Sequence, residues 1–203
     1  LYAVPDGIVK IVDEAFDSCD NLTKVILPES IEEIGNSSFK NCRNLKSITM
    51  PDGLLTIGNS AFNNCGSLTS VTVPESVVRI MTFAFADCES LEKITVSGNN
   101  KIYTDNDGVL FNKNKTTLIQ YPAGKTETEY SVPDTVKTIG VGAFIYCKNL
   151  KSVKTPKSVA SIEARAFSNC KGLESITIEN SECEIYDYSG TISNYNNTFS
   201  GVI

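Results

Sequence analysis

Hydrophobic positions recur along this chain with a period of 23 residues. Counting from Pro5, Pro28, Pro51, Pro74, Pro133 and Pro156, an aliphatic residue follows three places on: Ile8, Ile31, Leu54, Val77, Val136 and Val159. Three further on stand Ile11, Ile34, Ile57, Ile80, Ile139 and Ile162. A small residue and a phenylalanine come next, as Ala15-Phe16, Ser38-Phe39, Ala61-Phe62, Ala84-Phe85, Ala143-Phe144 and Ala166-Phe167. Each Phe is followed three residues later by cysteine, and that in turn three later by leucine. The leucine opens a short alternating stretch, such as Leu45 to Met50, whose period of two predicts a strand. Proline then ends it, because it has no amide hydrogen for a central ladder. The segment around the small-Phe pair, apolar at spacings of three and four, predicts a single helical or 3₁₀ turn, being too short for a full helix.

A unit of this size cannot bury its own apolar face, so consecutive units must stack and share a core. The pattern Leu-x-x-Ile-x-Met-Pro followed by Ile-Gly-x-x-Ala-Phe-x-x-Cys-x-x-Leu resembles the BspA-like leucine-rich repeat family across nearly all of residues 1–180. The expected fold is a leucine-rich repeat solenoid of the α/β type, a right-handed curved stack of coils. A parallel β-sheet lies on its concave side, with short turns or 3₁₀ segments on the convex side. The whole chain is read as one solenoid domain, with regular repeats at 5–96 and 133–178, an irregular hairpin-bearing unit at 97–132, and a C-terminal tail or partial cap at 179–203.

Ser97 and Glu179 stand where proline would recur, and Ser97 to Pro133 spans 36 residues, 13 more than one repeat. A β-hairpin with a polar turn fits the extra residues from Asp107 to Pro122. A second parse divides the span and makes Leu118 to Pro122 a strand of the main sheet, with Tyr130-Ser131-Val132-Pro133 the next. Tyr2-Ala3-Val4-Pro5 has the form of a strand end, so the chain is read as opening within a coil, as a fragment of a longer surface protein.

Composition narrows the chemistry. Lys and Arg number 18 against 24 Asp and Glu, a net charge of −6, and no basic run exceeds two residues. A nucleic-acid partner, which needs a basic face, is therefore not expected. No apolar stretch approaches the ~18 residues of a membrane span. The absence of His removes the usual general base and the commonest metal ligand, so neither catalysis nor a cofactor is expected.

The strand alternation turns Lys24 and Ile26, Ser47 and Thr49, Ser70 and Thr72, Lys93 and Thr95, Ser152 and Lys154, and Ser175 and Thr177 away from the core. Lys24, Ser47, Thr49, Ser70, Thr72, Lys93, Thr95 and Lys154 are accordingly candidate ligand contacts, offering hydroxyls and scattered positive charge. Tyr103 and Tyr121 join them as candidates around the irregular unit. With Phe111, and with Tyr186, Tyr188 and Tyr195 in the tail, they either meet a ligand or seal the core. The seven cysteines lack any CxxC pair, and parallel inward side chains on stacked coils rarely reach disulfide geometry, so they are read as small buried hydrophobes. Cys183 lies off the ladder as a free thiol. Asp105-Asn106-Asp107-Gly108 resembles part of a calcium loop, but Tyr103 occupies the first ligand place and the closing Glu is missing. Asn21, Asn36, Asn114 and Asn196 begin glycosylation triplets, which carry no meaning in a bacterial source.

The resemblance implies a noncatalytic extracellular module, bacterial or protozoan and secreted or held at the cell surface. It would bind a host or cell-surface protein or glycan, without inserting into a membrane. The alternative is a structural spacer that displays another domain of a longer surface protein.

Overall fold

A computed structural model of the chain describes residues 1–186; the part of the expected tail from 187 to 203, with Tyr188, Tyr195 and Asn196, lies outside the described residues. The predicted strands are present and stack in parallel. Tyr2–Ala3, Lys24–Ile26, Ser47–Thr49, Ser70–Val73 and Lys93–Val96 occupy successive coils, and Glu129–Ser131, Ser152–Thr155 and Ser175–Ile178 continue the series after the irregular unit. Register follows the repeat: Lys24 pairs with Ser47, Ser70 with Lys93, and Ser152 with Ser175.

A second parallel ladder runs beside the first within each block. Lys10–Ile11, Glu33–Ile34, Thr56–Ile57 and Arg79–Ile80 form it in the first block, with Ile11, Ile34, Ile57 and Ile80 in register. Thr117–Gln120, Thr138–Ile139, Ser161–Ile162 and Glu184–Ile185 form it in the second. These strands are mostly two residues long, too short for alternation to show in the sequence.

The return segment contains no helix of any kind among the described residues. It is a run of separate i→i+3 turns, as in Asp17 N–H to Glu14 O (3.0 Å) and Cys19 N–H to Phe16 O (3.2 Å). Two residues per coil hold left-handed backbone: Glu14, Ser37, Ser60, Phe83, Gly142 and Arg165 at one position, and Ser18, Asn41, Asn64, Asp87, Tyr146 and Asn169 four residues later. Their reversed φ turns the N–H groups towards the next coil, where Glu14 donates to Asn36 O at 2.9 Å and Ser18 to Lys40 O at 2.8 Å. The second position is mostly Asn, Asp or Ser; Asn and Asp enter this region at least penalty after glycine.

Equivalent core side chains form ladders. Phe16, Phe39, Phe62 and Phe85 stack with ring centroids 5.1, 5.3 and 5.6 Å apart. The cysteines are more than space-filling. Cys42 Sγ donates to Phe16 O at 3.0 Å, Cys65 to Phe39 O at 3.1 Å, Cys88 to Phe62 O at 3.1 Å and Cys170 to Phe144 O at 2.8 Å. A thiol both fills the space and satisfies a carbonyl of the preceding coil. All seven cysteines are unpaired, and five are buried. Burial pushes the Cys42 thiol up to about 11 and that of Cys88 up to about 12. At pH 8 a thiol reagent is expected to modify the half-buried Cys19 first, Cys183 more slowly because burial pushes its thiol up to about 11, and the other five only as the chain unfolds. Mass mapping of the labelled native protein checks this, and rapid labelling of Cys65 or Cys88 would contradict it.

The irregular unit is a three-stranded meander. Tyr103–Asn106 and Val109–Asn112 are antiparallel, and Asp107 and Gly108 between them have φ of 50° and 75°, as a tight hairpin turn requires. Thr117–Gln120 then pairs antiparallel with Val109–Asn112 and parallel with Thr138–Ile139. Leu118 thus belongs to the second ladder, and not, as the divided parse has it, to the ladder of Tyr130. The strand Val109–Asn112 is a partition: Leu110 packs into the core of the first block, Val109 and Phe111 into that of the second. Its turn also closes the edge of Lys93–Val96, for Ile94 N–H donates to Gly108 O and Val96 N–H to the Asp105 carboxylate, at 2.9 and 2.8 Å.

Candidate ligand-binding face

The outward side of the first strand ladder carries the predicted strip. Lys24, Ser47, Ser70 and Lys93 form one row and Ile26, Thr49, Thr72 and Thr95 the next, all exposed. Parallel pairing fixes Lys24–Ile26 against Ser47–Thr49 and Ser70–Val73 against Lys93–Val96, with paired strands about 4.8 Å apart, while Ser47–Thr49 and Ser70–Val73 stack in adjacent coils without ladder pairing. Among the described residues, neither the hydroxyls of Ser47, Thr49, Ser70, Thr72 and Thr95 nor the ammonium groups of Lys24 and Lys93 bond within the chain. The strip is a flat array of free donors and acceptors on a rigid sheet. Lys154 lies beyond the irregular unit with its ammonium 2.8 Å from the Glu179 carboxylate, a bond that holds Glu179 below and Lys154 above its ordinary range.

Tyr103 and Tyr121 depart from expectation, for they are only 8% and 1% exposed and present no ring to a ligand. Tyr103 turns its hydroxyl inward to accept from Ile80 N–H at 2.8 Å, capping the open end of the second ladder. Tyr121 takes the phenylalanine place of its coil, stacking on Phe144 at 5.3 Å and donating its N–H to Ala143 O at 2.7 Å.

The incomplete calcium loop is occupied by structural bonds. Asp105 receives Val96 N–H, Asn106 Oδ1 meets Lys115 Nζ at 3.3 Å, and Asp107 meets Lys125 Nζ at 3.3 Å. Among the described residues no three acidic or cysteine side chains converge as a metal site. No helix among them is long and apolar enough to cross a membrane.

One residue essential to the coil path escaped the sequence reading. Asn100, fully buried, donates to Pro74 O and Val77 O at 2.8 and 2.9 Å and accepts from the N–H groups of Ile102 and Tyr103 at 2.9 and 2.7 Å. Asn180 does similar work after Glu179, donating to Val159 O at 2.8 Å and accepting from Glu182 N–H. In each case an asparagine closes the turn that lacks its proline, three residues after Ser97 in one coil and one residue after Glu179 in the other, so no common offset marked them in the sequence.

Coils of 23 residues, stacked in parallel through ladders of leucine, phenylalanine and cysteine, define a leucine-rich-repeat β-solenoid. The profile of the BspA type leucine rich repeat region matches residues 9–131 and 123–200 with six copies. The chain belongs to that family. Among solved structures, the pneumococcal vaccine antigen PcpA is 32% identical with a TM-score of 0.84, over 92% of this chain and 46% of its own. A leucine-rich cell surface protein from Faecalibacterium prausnitzii is 31% identical with a TM-score of 0.76, over 90% of this chain and 54% of its own. A leucine-rich repeat protein from Eubacterium ventriosum is 32% identical with a TM-score of 0.70, over 91% and 60% respectively. The chain thus spans about half the length of these proteins. No curated protein matches it.

Proposed function

We propose that this chain is a noncatalytic binding module of a bacterial surface or secreted protein, adhering to a host or cell-surface protein or glycan through its strand face. The observation that carries the reading is the unengaged strip from Lys24 to Thr95, whose polar groups stacked coils hold in place through two paired-strand ladders at little further ordering cost. The repeat family and the surface-protein neighbours support the location. Binding of the purified chain to arrayed matrix proteins, mucins and glycans tests it. The expected result is saturable binding at low micromolar Kd or tighter. Ser70→Arg/Thr72→Arg, which crowds the centre of the strip, is expected to weaken it at least tenfold without altering thermal stability. Silence across the array, or binding that the double variant leaves intact, would overturn the reading. Silence would favour a spacer that displays another domain, a role consistent with the share of its neighbours that the chain spans.

A further inference from the structure

Three residues lead from Leu118 to Tyr121, where five lead from Ile80 to Phe85 and from Ile139 to Phe144. The irregular coil therefore takes a shorter path between its second ladder and its ring position. An opening of about 170 Å³ lies beside Met81 to Phe85. Met81, Phe83, Leu110, Ile119, Gln120 and Val141 are among the residues that line it.

The backbone next to this opening lacks its usual partners. In the preceding coil the N–H groups of Ser60, Phe62 and Asn64 donate to Thr82 O, Ala84 O and Ala86 O at 3.0, 2.8 and 2.9 Å. The equivalent N–H groups of Phe83, Phe85 and Asp87 meet no acceptor among the described residues, although Phe85 is 1% exposed. A buried amide without an acceptor is rare and unfavourable. Phe83 and Asp87 nevertheless keep the left-handed φ, 60° and 57°, that aims such donors at a following coil. Glu89 pairs with Lys148, and the Arg165 guanidinium sits 5.9 Å from the centre of the Phe83 ring.

These donors are spaced to receive the carbonyls of alternate residues in a polypeptide, since that is what they receive in every regular coil. The volume is close to that of the ~150 Å³ cavity known to hold benzene, so it admits one aliphatic or aromatic side chain. Asp87 has a buried, unpartnered carboxylate oxygen at one end of the row, and Glu89 lies near it, which disfavours an anionic ligand. We propose that the opening binds a neutral, extended peptide segment. One apolar side chain enters between Met81, Phe83 and Val141, and main-chain carbonyls accept from the N–H groups of Phe83 and Phe85. This site is separate from the strand-face strip and adds a peptide-capture function to the module.

Titration of acetyl-Ser-Thr-X-Thr-Ser-amide peptides, with X as Val, Leu, Ile, Phe or Ser, into ¹⁵N-labelled protein tests the proposal. At least one apolar X is expected to shift the Phe83 and Phe85 amide resonances saturably, with Kd of about 10 μM to 1 mM. The Ser peptide should bind at least tenfold more weakly. Met81→Arg and Val141→Arg, at positions 38% and 39% exposed, are expected to weaken binding tenfold or more, whereas Ser70→Arg/Thr72→Arg leaves it unchanged. The proposal is overturned by the absence of saturable shifts up to about 10 mM peptide, by shifts confined to the strand face, or by binding that survives both arginine variants. Because the strip variant is neutral here and decisive in the adhesion assay, failure of one reading is distinguishable from failure of the other.

Discussion

Phe62→Ala is expected to lower the free energy of unfolding by about 3–5 kcal/mol, and Phe16→Ala by markedly less. Phe62 is fully buried between Phe39 and Phe85, at ring separations of 5.3 and 5.6 Å and tilts of 2° and 4°. Truncating it removes two stacking contacts and leaves a cavity that coils fixed on both sides cannot close. Phe16 keeps the same stack on Phe39 at 5.1 Å, but its other neighbour is Tyr2, which is itself exposed, and the ring is only half-buried. Equilibrium urea unfolding of the two variants gives the comparison. Equal losses would mean that the ring ladder is not the element that limits stability.

Asn100→Ala is expected to destabilise the chain by roughly 3 kcal/mol or more, an unusual loss for one uncharged polar side chain. The alanine leaves the carbonyls of Pro74 and Val77 and the N–H groups of Ile102 and Tyr103 without partners in a site that water does not reach. Asn100→Asp separates the two halves of this role. Its oxygens still accept from the N–H groups, but its second oxygen faces two carbonyls in place of a donor. Burial and those carbonyls raise the folded pKa of that carboxyl above its unfolded value. The aspartate variant is therefore at its most stable below the ordinary carboxylate range, and loses stability as pH rises through it. Thermal unfolding at acid and neutral pH reads the difference. A variant no less stable at neutral than at acid pH would show that the amide donors contribute little.

The fold was legible because six units repeat the same chemistry. Leucine, phenylalanine and cysteine at fixed offsets announce stacked coils more firmly than any single element announces itself. The second ladder stayed hidden because two residues cannot display a period. The left-handed positions were written in the sequence as Ser18, Asn41, Asn64, Asp87 and Asn169, but a preference for Asn and Asp in turns does not say where their N–H groups point. Tyr121 was misjudged although Gln120-Tyr121 stands 23 residues before Ala143-Phe144, because 36 residues separate it from Phe85 and Gly124 and Glu127 follow where the repeat has cysteine and leucine. Exposure of the strip followed from alternation alone. The opening beside Phe85 could not be read, because it arises from a path the chain does not take.

A chain of near-identical units faces a hazard during folding that irregular proteins avoid. Any coil can dock on the wrong neighbour, one unit too early or too late, and make almost all of its proper bonds while a whole unit loops out. The partition strand Val109–Asn112 offers a remedy. Leu110 packs into the core of the first block, while Val109 and Phe111 pack into that of the second, and the strand pairs with Thr117–Gln120. Its position gives the array one address that no other junction duplicates, so errors of counting on either side are confined to a block of a few coils.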